Sequence, residues 1–371
     1  MNIFEQGKKL PADDLNENFE IVVGRIKSFF GTGKDGNVVL SENTTLERDM
    51  HYENLTIEEG VVFNPNGYRV FVKFNLVNNG IIRRNGNDGG DGGYNKNNDY
   101  TGFTGGVGGV ILANGSIRGA SVGGTGGAGK AASNSSGTWT EQYATGSGGG
   151  GGANENPALA SINGSKGGDS GASSAGSVYR GIGGSGGTST KENIKLAMPD
   201  ILITTINNEN VFEFLNTLRG ITSGKVLSNL AGSGGGAGGS FQKLNYQSPY
   251  IRTVKSGAGG GAGSGGGLIY IQAQSFVNNG VIEAIGGNGG NGSNAYRQYE
   301  ISGDSAGGGG GGAGGNGGCV VLMYENFENN GSIDLSAGVG GSGGSGVGGF
   351  TNGGSGANGN VGAYFLIKIN Q

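Results

Sequence analysis

From Leu268 to Gln274 apolar and polar side chains alternate as in a half-buried strand, with Leu268, Tyr270 and Gln272 on one face and Ile269, Ile271 and Ala273 on the other. Phe276-Val277 then lead into Asn278-Asn279-Gly280, a tight-turn signal because Asn and Gly tolerate positive φ, and a second short strand covers Val281 to Ile285. Glycine pairs follow, then a polar segment with Tyr296 and Tyr299, then more glycine pairs up to Cys319, where the next strand begins. The unit is therefore strand, turn, strand, glycine arm out, tip loop, glycine arm back. It recurs from Phe71 through Asn78-Asn79-Gly80, from Val110 through Asn114-Gly115, and from Val320 through Asn329-Asn330-Gly331, and Gly362 to Ile369 closes the chain as an unpaired copy. The tip loops differ in length, so the array is irregular.

The chain divides into three parts on this pattern. Residues 1–30 predict a short N-terminal α-helix capped at Asp13 or Asp14, with Leu15, Phe19, Val22, Ile26 and Phe29 on one heptad seam. That seam fits either a helix packed on its own domain or an attachment and trimerising segment. Residues 31–85 predict a small β region with short strands at Val38–Leu40, Met50–Tyr52, Leu55–Ile57, Val61–Phe63 and Tyr68–Phe74, the last pair turned by Asn64-Pro65-Asn66-Gly67. Residues 86–371 hold the glycine-rich units.

Composition sharpens this. There are 89 glycines and only 5 prolines among 371 residues, which excludes an ordinary globular enzyme and, with Gly-Gly-X as the repeated triplet, collagen as well. Disordered linkers are one reading of such tracts. The other is a threefold extended helix of polyproline-II geometry, whose bare glycine edges let neighbouring backbones pair. The period of three and the flanking strands favour the second, so the expected fold is mostly β with a polyglycine-II helix bundle.

Charge and cysteine usage close off other classes. The net charge of −4 is spread without blocks, so no nucleic-acid footprint is present, and no stretch is long and apolar enough for membrane insertion. The single cysteine, Cys319, forms no internal disulfide and reads as a small buried hydrophobe. Met1 to Glu20 lacks the apolar core of a signal peptide, so synthesis in a cytoplasm and use without classical secretion are expected.

Catalytic and metal motifs are weak. Gly124 to Lys130 matches a phosphate-binding loop up to the lysine, but Ala131 stands where Ser or Thr should hold magnesium. Asp88 and Asp91 sit in a glycine run like calcium-binding repeats, yet the nonapeptide spacing does not recur, and a solvated turn is the plainer reading. His51 is the only histidine. No carboxylate pair stands out for glycan cleavage, whose ~5–9.5 Å separation is not readable from sequence. No cofactor, metal site or catalytic residue is assigned, and the chain is read as non-enzymatic.

The interruptions between glycine arms carry the recognition chemistry. They run over Tyr94–Thr104, Ala131–Thr145, Asn154–Ser165, Thr188–Leu230, Phe241–Ser256 and Ser293–Ser305, and they or their flanks hold eight of the thirteen tyrosines and the only tryptophan. If each arm leaves and re-enters the same strand end, these loops emerge together. Tyr and Trp give large contact area at small entropic cost. Tyr100, Trp139, Tyr143, Tyr246, Tyr250, Tyr296 and Tyr299 are the candidate receptor-binding residues, against the plainer alternative that each packs on a neighbouring loop.

The segment Leu10 to Glu20, LPADDLNENFE, resembles the opening of phage tail-fibre and tail-attachment proteins. Strand-Asn-Asn-Gly-strand units followed by Gly-Gly-X tracts and aromatic loops resemble the glycine-rich receptor-binding adhesins at the tail-fibre tips of T-even-like phages. The likeness covers Gly86 to Gly362 in architecture. It implies a polyglycine-II sandwich with distal loops, location in the virion after synthesis in the host, and a bacterial outer-surface receptor, either a membrane protein or a polysaccharide. Attachment to other tail proteins through the N-terminus fits the same likeness, and a homotrimer is the assembly that the trimerising reading of the heptad seam would give. The N-terminal helix and β region depart from those adhesins. The alternatives are a structural tail-fibre, baseplate or capsid-decoration protein and, third, a surface-glycan hydrolase.

Overall fold

The computed structural model describes residues 29–94, 103–110, 112, 115–116, 126, 128, 131–133, 142–144, 240–242, 253–297, 305–348 and 351–369. The first seven strands are β1 (Asn37–Leu40), β2 (Thr44–Thr45), β3 (Met50–Tyr52), β4 (Asn54–Ile57), β5 (Val62–Asn64), β6 (Val70–Asn78) and β7 (Ile81–Arg83). Four short strands follow, β8 (Ala131–Ser133), β9 (Gln142–Ala144), β10 (Ser240–Gln242) and β11 (Thr253–Lys255). The last seven are β12 (Leu268–Asn278), β13 (Val281–Glu283), β14 (Tyr296–Arg297), β15 (Ser305–Ala306), β16 (Cys319–Asn329), β17 (Ser332–Asp334) and β18 (Ala363–Lys368).

Two parallel sheets form the centre. The larger has the order β1-β4-β6-β12-β16-β18, with β3 also beside β6, and the smaller β17-β13-β7-β5-β2. Every strand–Asn-Asn-Gly–strand unit contributes its long strand to the larger sheet and its short one to the smaller. The units stack in register, with Asn278 opposite Asn78 on one side and Asn329 on the other. Strands from residues 37–83 thus share both sheets with strands from 268–334.

Parallel sheets covered on both faces carry near-continuous apolar runs, and Leu268–Ile271 and Cys319–Met323 are such runs. The alternation sorts their side chains. Ile269, Ile271, Ala273, Phe276, Val320 and Leu322 join Phe63, Leu76, Ile82 and Ile282 in one buried cluster that draws on both sheets. Leu268, Tyr270, Cys319, Val321 and Met323 point the other way and form a second cluster with Phe30, Ile367 and Ile369. Each fully buried aliphatic or aromatic side chain contributes about 1.5–3 kcal/mol relative to exposure.

The structure corrects the expected fold class. The described residues contain strands and no helix, and parallel sheets organise them, rather than a polyglycine-II helix bundle; the expected N-terminal helix lies, up to residue 28, outside the described residues. The three-residue glycine period dominates the composition, but the side chains that make a core lie in the strands. Of the heptad seam, Leu15, Phe19, Val22 and Ile26 fall outside the described residues. Phe29 lies in a turn, its ring edge-on to Phe30 at 5.1 Å and packed against the second cluster.

The Asn-Asn-Gly turns also work differently from the expectation. Asn66 and Gly67 take positive φ (50° and 83°), as a tight turn requires, but Gly80, Gly280 and Gly331 do not. Their need for glycine comes from stacking. A Cβ on Gly280 would lie 2.0 Å from the Gly80 carbonyl oxygen, so no side chain fits between units.

Candidate recognition surface at the ends of the glycine segments

Glycine-rich segments connect the parallel sheets to the other end of the molecule and hydrogen-bond side by side. One transverse row runs through six of them: Gly261 N–H donates to the Gly90 carbonyl, Gly290 to Gly261, Gly312 to Gly290, Gly341 to Gly312 and Gly356 to Gly341, at 2.7–2.9 Å. Three residues nearer the sheets a parallel row links Asn87, Ser264, Gly287, Gly315, Gly338 and Gly359. Glycine is required where segments touch: a Cβ on Gly290 would sit 2.0 Å from the Gly90 carbonyl oxygen.

The third residue of each Gly-Gly-X triplet has its own task. Asn288 N–H donates to Asp88 Oδ1 at 2.6 Å, and Val339 N–H to Asn288 Oδ1 at 2.9 Å. Asn291 N–H donates to Asp91 Oδ1, and Ser342 N–H to Asn291 Oδ1, in the same way. Short amide and carboxylate side chains thus satisfy main-chain donors that the neighbouring glycine edge cannot reach. Asp88 and Asp91, which suggested a solvated turn or a calcium repeat, are acceptors in these ladders. Among the described residues no group of three or more His, Cys, Asp or Glu could hold a metal.

Away from the parallel sheets the segments run into two small antiparallel sheets, β15-β10-β9 and β14-β11-β8, which pack against each other. An antiparallel bridge from Ala306 to Val347 ties the segment ending near residue 346 to the same place. This end gathers two of the candidate residues. Tyr143 lies on β9 opposite Phe241, and Tyr296 lies half-buried on β14 opposite Lys255. Tyr100, Trp139, Tyr246, Tyr250 and Tyr299 fall outside the described residues, as does nearly all of the phosphate-loop-like 124–130 segment.

Beside Tyr296 lies an aromatic group outside the candidate receptor-binding residues. Lys255 is fully buried with its ammonium 5.6 Å from the centre of the buried Phe103 ring. Tyr94 tilts against Phe103 at 5.2 Å and is 48% exposed. Its position directly after the Gly92-Gly93 pair, where a glycine segment meets the tip, was the available signal. The exposed Tyr94 and the half-buried Tyr296 place aromatic side chains at this end, with Arg297 following Tyr296 on β14.

His51 is on the opposite part of the molecule, in β3, stacked on Phe71 at 4.5 Å. Burial, aided by Lys34, lowers its pKa, so the ring stays neutral and serves packing. No family model, curated protein or solved structure matches the chain.

Proposed function

We propose that the chain is a non-enzymatic phage receptor-binding protein that recognises the bacterial surface through the end formed by the two small antiparallel sheets. The reading makes it a virion component, produced in the host cytoplasm and joined to other tail proteins through its N-terminal segment. The observation that carries it is the placement of Tyr94, Tyr143 and Tyr296 at one end of side-by-side glycine segments that are anchored in the parallel sheets. A contact surface held in place before binding loses little conformational entropy on contact.

The test uses the purified full chain, fluorescently labelled, against a panel of bacterial strains and their surface-polysaccharide and outer-membrane-protein mutants. Saturable adsorption to some strains, lost in one class of surface mutant, is expected. Tyr94→Ala and Tyr296→Ala should weaken it with the melting temperature unchanged. Adsorption insensitive to both substitutions, or absent from every strain, would sink the reading.

A further inference from the structure

Among the described residues, further strands cover the stack of strand–Asn-Asn-Gly–strand units on one side and leave part of the other side unpaired. On the first, β4 pairs with β6 and β5 with β7. On the second, β18 pairs with β16 only from Cys319 to Tyr324. Among the described residues no strand pairs with the outer side of Glu325–Asn329 or of β17. Where β18 stops, a cleft of about 450 Å³ opens between Tyr324, Glu325, Phe327, Glu328 and Lys368. Asn326, Glu328, Asn329 and Asn330 around it are exposed.

The hydrogen-bond rows that knit the units end at this edge with their bonding groups unspent. In one row Asn78 Nδ2 donates to Asn278 Oδ1, and Asn278 Nδ2 to Asn329 Oδ1, both at 2.7 Å. The next group in line is Asn329 Nδ2, a donor. In the neighbouring row Asn330 Nδ2 donates to Asn279 Oδ1 at 3.1 Å and Asn279 Nδ2 to Asn79 Oδ1 at 2.8 Å, so the next group is the acceptor Asn330 Oδ1. The glycine row is directional too. A Cβ on Gly280 meets the Gly80 oxygen and one on Gly331 meets the Gly280 oxygen at 1.9 Å, so any following unit would need glycine opposite Gly331. The charged row across the short strands reads Arg83, Glu283, Asp334, with Arg83 paired to Glu283. With Glu325 and Glu328 nearby, the open edge is acidic apart from Lys368.

We propose that this edge is a strand-addition site for an extended segment of a partner protein, which pairs in parallel with Glu325–Asn329 and β17 as a further unit of the stack. The segment it fits carries an apolar residue in the Leu76–Phe276–Phe327 row, then Asn-Asn-Gly, then a base in the row of Asp334. Main-chain pairing supplies affinity and the side-chain rows supply selection. The inference does not depend on the receptor-binding reading.

The probe is a labelled nonapeptide with the sequence of residues 75–83, NLVNNGIIR, titrated into the full chain. Saturable binding with slowed amide exchange confined to residues 325–334 is expected. The same peptide with Ala for its glycine, or with alternate backbone amides methylated, should bind at least about tenfold more weakly, a difference of ~1.4 kcal/mol. Equal binding of the control peptides, protection elsewhere, or no binding overturns the inference. A concentration-dependent dimer in sedimentation that the peptide dissociates also overturns it, by putting a second copy of the chain on this edge.

Discussion

Asn78 and Asn278, 200 residues apart in the chain, are joined side chain to side chain at 2.7 Å in a fully buried site. Asn278 passes the contact on to Asn329. Truncating the middle member leaves Asn78 Nδ2 with only its long 3.3 Å bond to the Val281 carbonyl and removes the Asn329 contact. Leaving a buried polar group unsatisfied costs about 1–3 kcal/mol. Asn278→Ala should lower unfolding free energy by that amount in urea titration, whereas Asn279→Ala, in the exposed neighbouring row, should cost less than about 1 kcal/mol.

The glycine rows separate two reasons for glycine. Gly290 has ordinary φ but no room, with Gly90 oxygen 2.0 Å from the added Cβ. Gly60 has φ of +78° and nothing within 4 Å. Gly60→Ala should therefore cost about 1–2 kcal/mol of backbone strain. Gly290→Ala must push two hydrogen-bonded main chains apart and should cost about 3 kcal/mol or more. Thermal or urea unfolding of both variants checks the order, and a smaller loss at Gly290 would mean the segments are not in contact.

The strands were legible where alternation is strong. Leu268–Ala273 sorts onto two faces as the pattern indicates, and Cys319 is buried at a strand start. What the pattern did not reveal was partner choice. Asn78-Asn79-Gly80 reads as a local turn in isolation, and its stacking role depends on Asn278 and Gly280, whose register is set by long-range sheet pairing. The glycine period misdirected the fold class because it is a local signal with no side chains to bury. At the tip, Tyr296 stood out by composition, and Tyr94 and Phe103 belong to one interruption between glycine arms, but the buried Lys255 acquires meaning only through Phe103, which sequence spacing does not bring near it.

Acid should weaken the contacts that Asp35 and Asp49 make around β3. At Asp49 burial is the largest single influence and pushes the pKa up, but the Ser116 hydroxyl and the Arg69 main-chain N–H and guanidinium together hold it below its ordinary 3.8. At Asp35 the Arg48 guanidinium lowers it, helped by the His51 N–H. A depressed carboxylate pKa contributes stability that is present above the unfolded value and lost as pH falls through the folded one. Melting temperature should therefore decline on acidification below about pH 4. Asp49→Asn should be less stable at neutral pH and decline less steeply, and an unchanged pH slope would assign the acid sensitivity elsewhere.

Cys319 reports whether the stack opens. Its side chain lies in the second cluster beside Leu268 and Val321, and burial pushes the thiol pKa up to about 12. Only the thiolate attacks an alkylating reagent. At about pH 8 the thiolate fraction is therefore far smaller in the folded chain than in the unfolded one, whose thiol keeps its ordinary value. Iodoacetamide labelling followed by mass spectrometry should show one protected cysteine in the native protein and full modification in denaturant. Since β18 pairs beside Cys319 and adds Ile367 to the same cluster, labelling that rises at low urea, before global unfolding, would identify β18 as the strand that detaches first. Labelling that follows the global transition would place β18 in the same cooperative unit as the two parallel sheets.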